Sequence, residues 1–182
     1  MTDLGELFTA RAALVVPAAI GAAAAAEARA RLARRGYARY ALVDRGSYDV
    51  VAEPDEAALC AALAALAADR LRPTPTAPRP TLAVVDARAL RLGPGDFVLA
   101  HHDRVHEDRL LELVLDLSAA PVAGAEVHYR RGGQLYHRVA AAPGALSIVE
   151  RDGGVTCHHT YVSRRQPDAV VRLVLRLRAL AA

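Results

Sequence analysis

The chain has 182 residues, 53% of them hydrophobic, a length that can bury one sizeable core and is short for two ordinary domains. Its basic residues are all arginines, 23 against 20 acidic residues, and they are dispersed among the carboxylates. A nucleic-acid-binding chain concentrates positive charge on one stripe or face, so we expect no nucleic-acid partner.

Two helices are predicted in the N-terminal part of the chain. Residues 17–35 are almost all helix formers, with Pro17 suited to a first turn and Gly36 suited to the end. A second helix, rich in Ala and Leu, is predicted from Pro54 to about Leu71. Between the two helices, residues 37–43 and 48–51 are short β-prone segments around a turn signal.

The rest of the chain is predicted to be β structure. Residues 72–80 contain four prolines, which excludes regular structure and indicates a connector. After the connector, short apolar runs alternate with turn signals. The eight predicted β segments are residues 81–90, 96–103, 109–118, 126–129, 134–139, 145–149, 155–162 and 169–177.

This order of elements predicts the fold class. We expect an α+β, mainly β protein: a double-stranded β-helix (jelly roll) with N-terminal flanking helices. We expect one domain of residues 1–182, in which residues 1–80 form a helical flank with short strands and residues 81–182 form the jelly-roll core. In the last predicted strand, the odd positions from 171 to 177 are all apolar, whereas the opposite face carries Arg172 and Arg176.

We expect a cytoplasmic protein without a membrane partner. The uncharged run 12–26 is shorter than the roughly 18 residues of a spanning helix and is mostly Ala. Asp3 and Glu6 stand where a signal peptide would be basic. Cys60 and Cys157 are far apart and show no metal or redox spacing, which favours free thiols in a reducing compartment.

The segment 95–103 carries the most informative group of polar residues. If residues 97–103 are extended, His101 and Asp103 project from the same face. A later histidine, His158 or His159, would complete a 2-His-1-carboxylate set that leaves three positions of a metal open. The sequence does not choose between these two histidines.

Arg172 follows this histidine pair in the last predicted strand. A guanidinium inside a small barrel is costly unless it meets a carboxylate, and a dicarboxylate cosubstrate would satisfy it through a bidentate pairing. Arg176 shares the face of Arg172 but lies further along the strand, and we expect it at the rim or surface.

The order of these pieces resembles the iron(II)/2-oxoglutarate-dependent oxygenases, in particular the compact prolyl-hydroxylase-like branch. The resemblance covers about residues 85–177. Its matching pieces are Gly-Asp-Phe-Val at 95–98 leading into His101-x-Asp103, Gly-Ala-Glu-Val at 124–127, Pro-Gly-Ala-Leu at 143–146, His158-His159 and Arg172.

The resemblance implies a site and a reaction. Fe(II) would be bound by His101, Asp103 and one of His158 and His159, with Arg172 at the distal carboxylate of 2-oxoglutarate and ascorbate as an auxiliary reductant. The implied enzyme hydroxylates an unactivated C–H bond of a small molecule or of an amino-acid or peptidyl substrate, and it converts 2-oxoglutarate to succinate. An Asp ligand in place of Ala or Gly implies hydroxylation over halogenation.

Four further residues are weak candidates for the substrate pocket: His102, His106, Tyr129 and Tyr161. Each has an ordinary alternative, as a solvated histidine or as a tyrosine that packs in a strand. Two other functions stay open: a cupin-like metal-binding protein that does not use 2-oxoglutarate, and a noncatalytic jelly-roll interaction module. The sequence indicates neither the substrate nor the oligomeric state.

Overall fold

The computed structural model describes residues 13–72, 74, 76–101 and 110–180, with residue 101 described by its backbone alone. Two helices, α1 (Ala22–Arg35) and α2 (Ala57–Arg70), lie in the N-terminal part. The strands are β1 (Ala13–Val16), β2 (Ala38–Leu42), β3 (Gly46–Ala52), β4 (Leu82–Leu92), β5 (Phe97–His101), β6 (Leu110–Asp116), β7 (Val127–Arg131), β8 (Gln134–Val139), β9 (Leu146–Arg151), β10 (Val155–His159) and β11 (Val170–Ala179).

The strands pair in the order β1-β9-β6-β11-β4-β3-β5-β10-β7-β8, with β2 paired to β3. Every pairing among the described strands is antiparallel. One layer contains β9-β6-β11-β4, the other contains β5-β10-β7-β8, and β3 joins them by pairing with both β4 and β5. Consecutive strands from β4 to β11 are divided between these layers in the manner of a double-stranded β-helix, which confirms the predicted fold class.

The helices cover one face of the layer that contains β11. Leu173 and Leu175 of β11 pack there in one cluster with Ala28 and Leu32 of α1 and Leu63 of α2. Ala28 and Leu32, together with the buried Ala25, recur at the three- and four-residue spacing of a buried helical stripe. The predicted apolar face of the last strand is therefore the face that packs on the helices.

The other face of the same layer looks into the space between the two layers. It carries Arg172, Val174 and Arg176 of β11, all of them buried. Side chains of the opposite layer reach across this space, since Tyr129 of β7 is bonded to Glu112 of β6. The two arginines that the strand pattern left unexplained thus lie inside the barrel.

The chain differs from the sequence prediction at its N-terminal end. The first helix begins at Ala22 instead of Pro17, because residues 13–16 form β1 at the edge of the sheet, paired with β9. The apolar stretch that precedes the helix thereby pairs with a distant strand. Helix propensity is a local property and cannot predict such a pairing. Among the described residues, no helix combines the length and apolar character that a membrane crossing requires.

Gly46 is required where β3 meets β5. Its φ is +136°, and a Cβ built there would lie 2.2 Å from the carbonyl oxygen of Phe97. Gly132 also has a positive φ of +56°, but a Cβ there would meet nothing within 4 Å. We expect Gly46→Ala to lower the free energy of unfolding by about 1–3 kcal/mol more than the matched Gly132→Ala, because only the first adds a clash with backbone to the conformational cost. Denaturant unfolding of both variants measures this, and equal losses would contradict it.

Candidate functional site

The pairing of β5 with β10 places the predicted ligands relative to one another. The backbone of His101, the last residue of β5, lies opposite Cys157, and Val98 lies opposite His159. The register shifts between these two pairs, so β5 has one residue more than β10 over this interval. His101 is thus placed at the strand end beside Cys157, two residues along β10 from His159.

The two candidate histidines of β10 lie on opposite faces. Val155, Cys157 and His159 are buried, whereas Thr156 and His158 between them are half-buried. His159 faces the space between the layers, where it contacts Arg172 of β11. The structure therefore brings His159, and not His158, to the inside of the barrel.

His158 belongs to a group on the outer face. It lies opposite His128 of β7, the two rings pack edge to face with centroids 4.8 Å apart, and Nε2 of His128 is 2.6 Å from a carboxylate oxygen of Glu126. Burial, with smaller contributions from His128 and Arg130, lowers the pKa of His158. These contacts are separate from the interior of the barrel.

Arg172 is the largest side chain among those that are fully buried, with 1% of its surface exposed. Its Nη1 donates to Nδ1 of His159 at 3.0 Å, and its Nη2 donates to the carbonyl oxygen of Ala125 at 2.7 Å. Its Nε is buried and has no hydrogen-bond partner among the residues that the structure describes. Within the described ranges, Arg172 therefore has neutral acceptors and no hydrogen-bonded carboxylate.

The charge of Arg172 is poorly compensated. Burial lowers its pKa to about 10, although Asp116, directly opposite on β6, acts in the other direction. One carboxylate oxygen of Asp116 accepts the N–H of Ser118, and the other is buried and has no hydrogen-bond partner in the described part of the chain. At neutral pH the guanidinium is still charged, so the barrel contains a buried cation that an anionic ligand would stabilise.

A second charged group lies in the space between the layers. Glu112 of β6, 3% exposed, accepts hydrogen bonds from Tyr129 at 2.7 Å, Arg151 at 2.7 Å and Arg176 at 3.2 Å. Burial alone would raise the pKa of Glu112, but Arg151 and Arg176 lower it overall. Tyr129 is fully buried, and burial and Glu112 raise its pKa well above the usual value.

The expectation that Arg176 lies at the rim or surface is wrong, because it is 8% exposed and bonded to Glu112 inside the barrel. Arg176 and Glu112 line a cavity between the layers together with Cys157 and His159. Sequence reasoning did not identify Glu112, Arg151 or Cys157 as parts of this interior. A signal for Glu112 was available, since it is the one charged residue within the apolar run Leu110–Val114.

The remaining predicted site residues are placed less fully. Asp103, His102 and His106 lie outside the described residues, as does the side chain of His101. Tyr161 is 50% exposed in the segment after β10. No group of three or more His, Cys, Asp or Glu side chains that could hold a metal occurs among the residues that are described. Because part of this set lies outside the described residues, the predicted metal ligands and substrate-pocket residues stay predictions.

Comparison with known proteins gives a consistent fold and no close relative in sequence. No family model matches the chain, and no curated protein matches it. An oxidoreductase of the 2OG-Fe(II) oxygenase family from Burkholderia pseudomallei superposes with a TM-score of 0.73 at 16% identity, over 96% of this chain and 89% of that chain. A Pseudomonas putida prolyl-4-hydroxylase gives 0.66 at 18% identity over 97% of each chain.

A third similar structure is that of an enzyme with a different type of reaction. The non-heme, alpha-ketoglutarate-dependent carbocyclase SnoK of nogalamycin biosynthesis superposes with a TM-score of 0.65 at 14% identity, over 97% of this chain and 83% of that chain. At such identities the likeness establishes the fold. The resemblance inferred from the ordered motifs is confirmed at that level.

Proposed function

We propose that this chain, which has the fold of the iron(II)/2-oxoglutarate-dependent oxygenases, is itself such an enzyme and hydroxylates an unactivated C–H bond. The substrate class is a small molecule, or an amino-acid or peptidyl side chain. Bound Fe(II) and 2-oxoglutarate supply the oxidising power, with succinate and carbon dioxide as coproducts and ascorbate as an auxiliary reductant. We also propose a cytoplasmic location, since Cys60 and Cys157 form no disulfide with each other.

The observation that carries this proposal is the buried cation at Arg172. Its guanidinium lies inside the barrel beside His159, with its Nε unsatisfied and neutral acceptors at its other two nitrogens. A buried charge of this kind is costly unless an anion meets it. The distal carboxylate of 2-oxoglutarate supplies that anion, and a planar guanidinium can bind it through two parallel hydrogen bonds.

The donor set also suits ferrous iron. We assign the three protein ligands to His101, Asp103 and His159, because His159 is the histidine of β10 that faces the barrel interior. Two imidazoles and one carboxylate form the facial set typical of non-heme Fe(II) oxygenases. The backbone of His101 lies opposite Cys157, which shares the inner face of β10 with His159, and this pairing supports the assignment of His101.

The protein residues around this site have definable tasks. Arg172 binds and orients the dicarboxylate through its charge. The buried apolar residues Leu90, Val98 and Val174 line the same cavity as His159 and limit the entry of water. Glu112 fixes Arg176 in the cavity wall by a 3.2 Å hydrogen bond.

The test is the release of succinate from 2-oxoglutarate by anaerobically iron-loaded protein after oxygen is admitted. We expect turnover in the wild type and in His128→Asn, which alters a histidine of the outer face, and a loss of at least about 100-fold in His101→Ala and Asp103→Ala. Circular dichroism of each variant verifies the fold. Equal turnover in wild type and Asp103→Ala would contradict the assignment, and mass spectrometry of a converted substrate decides between hydroxylation and another oxidation.

An alternative has one observation in its favour. Two of the three nitrogens of Arg172 already have internal acceptors, so the barrel is compatible with a metal-binding protein that does not use 2-oxoglutarate. In that case Arg172→Met would leave the affinity for 2-oxoglutarate unchanged. Under the proposed function, Arg172→Met strongly weakens the affinity for 2-oxoglutarate, because the distal carboxylate loses the guanidinium that binds it.

A further inference from the structure

We propose that Arg172 holds His159 in a tautomer that cannot ligate a metal, and that a carboxylate bound to Arg172 releases it. The inference rests on the proposed function, since it concerns the order in which that site is filled. It assigns to Arg172 a positioning role toward the metal in addition to the binding of an anion.

The argument begins with the direction of one hydrogen bond. Arginine nitrogens only donate, so Nδ1 of His159, 3.0 Å from Nη1 of Arg172, is the acceptor. A neutral imidazole has one N–H, and when Nδ1 accepts, that hydrogen is on Nε2. A nitrogen that carries hydrogen has no lone pair to offer a metal. Ligation through Nε2 and the hydrogen bond from Arg172 are therefore mutually exclusive.

The barrel interior makes this exclusion effective. His159 is 7% exposed and Arg172 is 1% exposed, so solvent does not readily replace either partner. A second hydrogen bond, from Nη2 to the carbonyl oxygen of Ala125, keeps the guanidinium beside the imidazole. Release of His159 consequently requires another acceptor for Nη1.

A carboxylate is such an acceptor. It binds a guanidinium through two parallel hydrogen bonds and is a stronger partner than a neutral imidazole nitrogen. The buried Nε of Arg172, which has no hydrogen-bond partner among the described residues, offers the incoming carboxylate its first hydrogen-bond donor. Once Nη1 turns to the carboxylate, His159 can carry its hydrogen on Nδ1 and present Nε2 to the metal. Binding of the anion and ligation by His159 then favour each other, as linkage requires.

The first measurement is the tautomer of His159 in the metal-free protein. Long-range ¹H–¹⁵N correlation spectra of ¹⁵N-histidine-labelled protein distinguish the two tautomers, and the signals missing from His159→Gln identify the residue. We expect the hydrogen on Nε2 in the wild type. When 2-oxoglutarate is added without metal, we expect the ¹⁵N signal of Nδ1 to shift, because Nη1 of Arg172 leaves it.

The second measurement is the affinity of the metal-free protein for Mn²⁺ in the absence of 2-oxoglutarate. Arg172→Met removes the donor, and Arg172→Gln offers an amide oxygen that can accept from Nδ1–H. Both variants should bind Mn²⁺ about tenfold more tightly than the wild type, because a hydrogen bond from a charged donor is worth at least the roughly 1.4 kcal/mol that a factor of ten represents. Arg88→Met is the matched control, since Arg88 lines the same cavity as His159 but is paired with Asp86 and not with Glu112.

Three results would overturn the inference while leaving the proposed function intact. They are a hydrogen on Nδ1 of His159 in the metal-free wild type, unchanged or weaker Mn²⁺ binding in both Arg172 variants, and an equal gain in Arg88→Met, which would reflect the loss of any nearby positive charge. An Nδ1 signal that does not respond to 2-oxoglutarate would contradict the release step. Absence of Mn²⁺ binding in every protein would instead contradict the proposed function, and this inference with it.

Discussion

Replacing Glu112 with alanine is expected to lower the free energy of unfolding by about 3–5 kcal/mol, the usual result of removing one partner from a buried ion pair. Glu112 is the carboxylate that meets Arg151 and Arg176, and it also accepts from the fully buried Tyr129. Without it, two guanidiniums face each other inside the barrel. For a chain of this length, each kcal/mol corresponds to about 2–4 °C, so the melting temperature should fall by roughly 6–20 °C.

Glu27→Ala is the control for this loss. Glu27 pairs with Arg31 on the exposed face of α1, where the side chain of Glu27 is 73% exposed, and such pairs contribute little to stability. Denaturant unfolding of both variants makes the comparison. A Glu112→Ala protein as stable as the Glu27→Ala protein would show that the interior network is not needed for stability.

Acid should weaken the same network. The pKa of Glu112 in the folded chain lies below that of an unfolded glutamate, because Arg151 and Arg176 outweigh the effect of burial. A lowered folded pKa contributes stability above the unfolded value of about 4.3, and this contribution is lost as the pH falls through the folded value. The stability difference between wild type and Glu112→Gln should therefore shrink below about pH 4.

The second large effect is expected at His159. His159→Ala should lower both Mn²⁺ affinity and iron-dependent succinate formation by at least about 100-fold, since even a partner outside the ligand set commonly costs 10–100-fold. His158→Ala should remain close to the wild type, because the ring of His158 packs against His128 on the outer face. Titration with Mn²⁺ and the succinate assay compare the two neighbours directly.

Cys157→Ser completes this comparison. Cys157 lies on the inner face of β10 opposite the backbone of His101, so its thiolate is the other metal donor available on that face. If Cys157→Ser loses metal binding and His159→Ala retains it, the third ligand is the sulfur of Cys157 and not the imidazole of His159. If His158→Ala alone loses metal binding, the assignment of His158 to the outer face and His159 to the inner face is wrong.

The elements of the β region could be predicted because their signals are local. The predicted strand 134–139 coincides with β8 (Gln134–Val139), and the predicted segment 145–149 falls within one or two residues of β9 (Leu146–Arg151). Turn residues and short apolar runs indicate such boundaries in the sequence itself. The start of the first helix was misplaced because residues 13–16 pair with β9, which lies more than 100 residues away along the chain.

The choice between His158 and His159 could not be made from the sequence. Adjacent residues of a strand face opposite sides, and a slip of one residue exchanges them. Here the register of β5 against β10 shifts between the Cys157 and His159 pairs. The buried position of Arg176 was missed for a related reason, since its partner Glu112 lies 64 residues away.

The sequence by itself determined the alternation of β11 and the approximate positions along the chain of the strands from β4 to β11. These properties follow from backbone periodicity and turn chemistry, which act between near neighbours. Only the tertiary structure decided which histidine faces inward, that Arg172 donates to it, and that Glu112 joins Arg151 and Arg176. Those contacts depend on register and on burial between distant strands, and neither is encoded at any one position of the chain.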